Sequence, residues 1–161
     1  MREWLVGGAL IEGAGGVLLV CNRRRDDSYD WSPPGGVIDE GESVLDGLTR
    51  EVEEETGLLV HEWEGPLYEV EISAGDMGWH LRVEAYRAVH YTGELRLTDP
   101  DGIVVDARFV SDGEASLTLA GSARWVHEPV GEWLTIRWEE RRAFRYNVVG
   151  TDRTSMVVHR L

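Results

Sequence analysis

"GVIDEGESVLDGLTREVEEETGL", residues 36–58, is the stretch that decides how this chain folds. Val44, Leu45, Leu48 and Val52 fall within roughly a 100° arc at 3.6 residues per turn, which makes one core-facing stripe and predicts a helix over 43–56. Ser43 is the natural N-cap, and Asp46 three residues on completes a capping box with aspartate in place of Glu or Gln. Gly57 is suited to the positive φ of a C′ residue, and Leu58 can fold back on the last turn. Start, face and stop agree on one helix, which ends in "REVEEETG", where four of five consecutive residues are glutamate. Like charges so close along a helix repel.

Each residue advances a helix by about 100°, so Glu55 lies about 40° to one side of Glu51 and Glu54 about 60° to the other. Glu53 points some 160° away, toward solvent. The three carboxylates therefore share a face beside the apolar stripe, where repulsion is less screened than on an open surface. On the glutamate run alone, a solvated acidic helix face is the simpler account. The lead-in shifts the balance toward a hard divalent cation. Glu42 stands at the first turn, Gly35 and Gly36 can bring backbone carbonyls close without side-chain obstruction, and Arg50 reaches Asp46 or Glu54 at i,i+4 spacing.

At this point the stretch resembles the signature of the Nudix hydrolase family: Gly, five residues, Glu, seven residues, then Arg-Glu-aliphatic-x-Glu-Glu-x-Gly-aliphatic. Gly36, Glu42, Arg50, Glu51, Val52, Glu54, Glu55, Gly57 and Leu58 all fit without a gap. A weaker likeness extends over residues 4–115. The resemblance implies an α/β fold, an α/β/α sandwich with a mixed sheet, as one domain over 1–161. Residues 116–161 form a less typical helix and C-terminal β-hairpin extension. It implies metal-dependent hydrolysis of a nucleoside-diphosphate derivative by water attack on the pyrophosphate, with Mg²⁺ or Mn²⁺ as cofactor. Glu51, Glu54, Glu55 and the Gly36 carbonyl would hold metal. Glu42 would assist from behind or through water, and Arg50 would hold a glutamate in place. ADP-ribose or an ADP-sugar is the expected substrate. The alternatives are a nucleoside triphosphate cleaved to monophosphate and pyrophosphate, or a nucleotide-binding module with weak turnover.

The general base is less plainly marked. Gly102 stands where relatives often carry a further glutamate, and Asp99, Asp101 and Asp106 are nearby. Asp101 is the favoured candidate because it lies in a turn free to approach a metal-bound water, although an aspartate before glycine is also an ordinary turn former. Without such a base, Glu54 or Glu55 would activate water directly.

Composition limits the partners. Thirty acidic residues against 16 basic ones give a net charge of −14, a field that repels duplex nucleic acid and anionic membrane. A small nucleotide substrate then needs a local remedy. Arg23, Arg24 and Arg25 are candidates for the anion contact, and Trp31, Tyr68 and Trp79 for stacking on a base. Each competes with an ordinary surface or core role. One cysteine, Cys21, excludes an intrachain disulfide and a zinc cluster. No HExxH, GxSxG or P-loop pattern occurs, so zinc-protease, acyl-transfer and motor chemistry recede. The N-terminus lacks a signal-peptide core and no apolar run reaches about 18 residues, so the expected location is cytoplasmic.

Downstream, "LLVHEWEGPLYEVEI", "WHLRVEAYRAVHY" and "GIVVDARFV" read as strands. "DGEASLTLAGSARWVHEPV" reads as containing one helix that ends before Pro129. "RRAFRYNVVG" and "SMVVHRL" around "TDRT" read as a hairpin. This tail has three open roles: closing the sheet, shaping the substrate cleft, or covering aromatic surface in a homodimer.

Overall fold

In the computed structural model, which describes residues 1–161, Ser43 has extended backbone and its Oγ accepts the Asp46 N–H at 3.1 Å. The helix so started, α1, runs Val44–Thr56 and stops where Gly57 takes φ 80° and donates its N–H to the Glu53 carbonyl. Only this half of the expected box forms, because the aspartate side chain is a methylene shorter than the usual glutamate. Leu48 and Val52 are fully buried, whereas Leu45, in the first turn at the stripe's edge, is 39% exposed.

The strands are β1 (Arg2–Leu10), β2 (Glu12–Gly13), β3 (Gly16–Arg23), β4 (Tyr29–Ser32), β5 (Gly35–Val37), β6 (Leu59–Ala74), β7 (Trp79–Thr92), β8 (Val104–Val110), β9 (Arg142–Val149) and β10 (Val157–Arg160). Two further helices, α2 (Asp112–Leu119) and α3 (Arg124–Ile136), follow β8. Six strands form one mixed sheet in the order β10-β9-β6-β7-β1-β5, with β1 parallel to β7 and β6 parallel to β9. A smaller antiparallel sheet centres on β3, whose Cys21 pairs with Trp31 of β4 on one edge and Asp106 of β8 on the other.

Helices cover opposite faces where β1 and β3 meet, whereas the β6 and β9 side of the main sheet buries one face and turns residues such as Glu71 and Arg145 to solvent. Successive side chains of β1 and β3 point to opposite sides. Ala9, Ile11 and Leu18 join Leu48 and Val52 of α1 in one core. Leu10, Val17 and Leu19 join Ala115, Leu119, Val130, Trp133 and Leu134 of α2 and α3 in the other. The result is the helix, sheet, helix layering expected. No helix is long and apolar enough to cross a membrane.

The tail differs from expectation in one respect. Two helices replace the single one, and α3 continues through Pro129 to Ile136. Proline removes one N–H from the helical ladder. Burial of Pro129, Val130, Trp133 and Leu134 against the sheet outweighs that loss, so packing overrides the local stop signal. The hairpin of β9 and β10 forms as expected and extends the main sheet through β9 beside β6.

Candidate active site

The C-terminal half of α1 carries the chemistry, and Arg50 organises its outer edge. Arg50 Nε and Nη2 donate to the two Glu42 carboxylate oxygens, each at 2.9 Å, while Nη1 reaches Glu51 at 3.1 Å and Glu54 at 3.4 Å. Asp39 completes the set at 3.4 Å. Of the two i,i+4 partners expected for Arg50, Glu54 is engaged. Asp46 is not, because Glu42 takes the arginine fork bidentately from the turn before the helix. That fork, with the Asp39 N–H, pulls the Glu42 carboxyl down to about 2.

Glu55 behaves differently from its neighbours. Rather than standing at the edge of the core, it is 6% exposed, and its one hydrogen bond is a long one, 3.4 Å from the Gly35 N–H. Burial, with the Glu51 charge adding to it, pushes its carboxyl up to about 9. Glu51 is also raised, first by burial and then by the charges of Glu54 and Asp101, against the pull of Arg50. Glu53 is exposed, on the far side of the helix as its angle requires.

β5 brings two glycines against these carboxylates by pairing Gly36 with Gly7 and Gly35 with Gly8 of β1. A Cβ on Gly36 would stand 2.7 Å from the Glu51 carboxylate, and one on Gly35, at φ 153°, only 2.0 Å from the Gly7 carbonyl oxygen. These positions fail differently. Gly36→Ala displaces a movable side chain and is expected to cut turnover by roughly 10- to 100-fold with little change in Tm. Gly35→Ala meets immovable backbone and is expected to cost about 3 kcal/mol of stability. Thermal melts beside an activity assay separate the two; equal melting losses for both would contradict this assignment.

An all-oxygen donor set of carboxylates and backbone carbonyls suits a hard divalent cation. A buried carboxylate with one weak partner also gains from one. Arg50 holds Glu51 and Glu54 through the same nitrogen, and no three acidic side chains converge on one point, so an ion competes with Arg50 for both.

Beside Glu51 and Glu55 opens a cavity of about 500 Å³, also lined by Gly35, Gly36, Asn22, Arg24, Tyr68, Asp99, Asp101 and apolar residues of β1, β7 and α3. Glu54 is outside its lining. Asp101 is exposed and its carboxylate takes no hydrogen bond from the protein. Asp99 instead fastens the turn, accepting the N–H groups of Asp101, Ile103 and Val104.

The substrate-contact expectations divide. Arg24 lines the cavity and is clamped by Asp30 at 2.6 and 2.7 Å; Arg23 and Arg25 are exposed and do not line it. Tyr68 lines it. Trp31 does not, being packed on the larger core with Arg108 5.3 Å from its ring centre. Trp79 does not either; it packs edge-on against Trp125, 6.2 Å away, and Trp125 is the tryptophan that faces the cavity. Trp125, Val126 and Val130 reach the cavity from α3 and Asn22 from β3; none of them was a sequence candidate, because what an element's face encloses depends on how the elements pack. A shallower cleft of about 670 Å³ between α2 and α3 contains none of the α1 glutamates.

A family model described as NUDIX domain matches residues 1–134. A curated relative from Mycobacterium tuberculosis, named putative 8-oxo-dGTP diphosphatase 2, is 27% identical over 150 residues, spanning 79% of this chain and 97% of its own. Among solved structures, a MutT NUDIX hydrolase from Burkholderia pseudomallei superposes with TM-score 0.62 and 26% identity, over 70% of this chain and 86% of that one. An ADP-ribose pyrophosphatase from Streptococcus suis is similar in fold, with TM-score 0.55 and 21% identity over 87% of this chain and 98% of that one.

Proposed function

The chain belongs to the NUDIX family of pyrophosphohydrolases, and from that premise we propose that it cleaves the pyrophosphate linkage of a nucleoside triphosphate, releasing the monophosphate and inorganic pyrophosphate. The observation that carries this reading is the buried Glu55 carboxylate beside Glu51 and the Gly35–Gly36 backbone, opening on a cavity with room for a nucleoside. Members of the family use a divalent cation such as Mg²⁺, which when bound neutralises phosphate charge and acidifies water.

The residues of this chain supply the rest. Glu51, Glu54, Glu55 and the Gly36 carbonyl are the proposed ligands. Arg50, anchored bidentately on Glu42, sets the direction of Glu51 and Glu54 and limits repulsion between them. Asp101, lining the cavity with its carboxylate free, is the proposed proton acceptor from the attacking water. The Arg24 guanidinium meets a phosphate or ribose oxygen without losing the Asp30 clamp.

ADP-ribose or an ADP-sugar, the substrate expected from the sequence, now ranks behind a triphosphate. The relative named for a triphosphate diphosphatase spans most of both chains, whereas the ADP-ribose pyrophosphatase supports the fold alone. With Mg²⁺, nucleoside triphosphates should give pyrophosphate, and ADP-ribose should be cleaved more slowly. AMP plus a sugar phosphate as the faster products would reverse the order.

A further inference from the structure

Deep in the same cavity, two polar side chains have hydrogen-bonding atoms that no protein group uses. Asn22 is 7% exposed and Tyr68 is 5% exposed. The Asn22 amide nitrogen is committed: it donates to the Asp30 carbonyl at 3.5 Å, to Asp30 Oδ1 at 3.2 Å and to Ser32 Oγ at 2.9 Å. Because the Asp30 oxygens only accept, the amide cannot turn over, and Oδ1 is left as a fixed acceptor without a partner. The Tyr68 hydroxyl also has none. Its ring is held edge-on by Trp138 and Phe144, with centroids 6.4 and 5.9 Å away.

Neither atom is sealed from solvent. The one fully enclosed, unpartnered polar side-chain atom in the molecule is Trp133 Nε1, so Asn22 Oδ1 and Tyr68 Oη retain access, and the cavity is the space both residues line. Buried polar atoms ordinarily find partners, and two left open in one cavity point to a ligand that supplies them. Leu81, Val83, Val126 and Val130 give that cavity apolar walls, and Trp125 adds an aromatic surface. The part of a ligand between these walls must therefore be largely apolar on its faces and polar at its edges.

We infer that this cavity holds the nucleobase of the substrate, and that Asn22 selects bases carrying an exocyclic amino group by accepting its N–H at Oδ1 while Tyr68 Oη bonds a second edge position. The inference rests on the nucleotide reading above but adds a specificity residue to it. Burial holds the Tyr68 phenol well above its ordinary range, so it meets the base as a neutral hydroxyl. Asn22 Oδ1 is left unpaired by a base without the amino group, and a site with an unpaired buried acceptor rejects such an analogue more strongly than an apolar pocket rejects a missing methylene.

The test uses nucleotide pairs differing by one amino group: GMP with IMP, and AMP with purine riboside monophosphate. Binding to the full chain is measured calorimetrically, which requires no turnover, and hydrolysis of the corresponding triphosphates is assayed separately. The amino-bearing member of at least one pair should bind about tenfold more tightly or better. Asn22→Ala should erase that preference; Arg24 continues to hold Asp30 in this variant. Tyr68→Phe removes an oxygen with no protein partner, so it should leave Tm unchanged while weakening monophosphate binding about threefold to tenfold. Equal binding within both pairs, or a preference that survives Asn22→Ala, overturns the inference, as does unaltered binding in Tyr68→Phe. Selective binding without triphosphate cleavage leaves the base site standing and removes the proposed reaction; cleavage with no discrimination does the reverse.

Discussion

Glu55→Gln and Glu54→Gln should each lower kcat/KM by more than about a hundredfold, a larger loss than changes to residues that only support metal ligands produce. Glu53→Gln should stay within about twofold, since that side chain is exposed on the opposite face of α1. The Glu55 variant has a second signature. In wild-type protein freed of metal, the raised carboxyl favours the protonated form in the folded state. Stability from this group is fully present below the unfolded value near 4.5 and is lost as pH rises through the folded value of about 9. By pH 7 the loss is on the order of 3 kcal/mol, so in EDTA the melting temperature should fall between pH 5 and pH 9. Glutamine carries no charge to desolvate. The variant should show a flatter profile and, at pH 8 in EDTA, melt above wild type while being inactive. Equal activity losses in Glu53→Gln and Glu54→Gln would refute the facial assignment, and an unchanged pH slope in Glu55→Gln would refute the burial argument.

The second large effect is stabilisation by the cation. A ligand that binds only the folded state contributes about 2.7 kcal/mol at a concentration one hundred times its Kd, which for a chain of this size raises Tm by roughly 5–10 °C. Mg²⁺ in that excess over EDTA should therefore shift the wild-type melt by that amount at pH 8. The same addition should move Glu55→Gln and Glu51→Gln much less. Arg50→Ala should be destabilised without metal, because Glu42, Glu51 and Glu54 lose their shared cation. Scanning calorimetry reads all of these, and superimposable melts with Mg²⁺ and EDTA in wild type would count against a metal site on this helix.

Residues 36–58 were legible because their structure is mostly local. A cap at Ser43, a 3.6-residue apolar period, and a left-handed stop at Gly57 are decided within a few turns of chain, and the same period sorts Glu53 from Glu51, Glu54 and Glu55. Local reading failed where long-range packing won. Pro129 looked like a stop, yet α3 runs through it because four buried side chains hold the helix to the sheet. Leu45 lies within the predicted stripe but is exposed, since in the first turn Val44, not Leu45, is turned toward the core. Arg50 was within reach of Asp46 along the helix, but a bidentate partner arrived from Glu42.

The cavity shows the same division. The run of glutamates and their arginine are neighbours in sequence, so the carboxylate face of α1 was legible there, whereas Gly35 and Gly36 reach it only through the pairing of β5 with β1. Which side chains line the cavity was decided only when β3, β6, β7 and α3 met beside that helix. Asn22 and Trp125 are more than one hundred positions apart, and nothing in the local pattern of either marks a shared wall. Periodicity specifies which side of an element is apolar; only the packing of one element on another specifies what that side encloses, and that is why Trp125 rather than Trp79 faces the cavity beside Glu55.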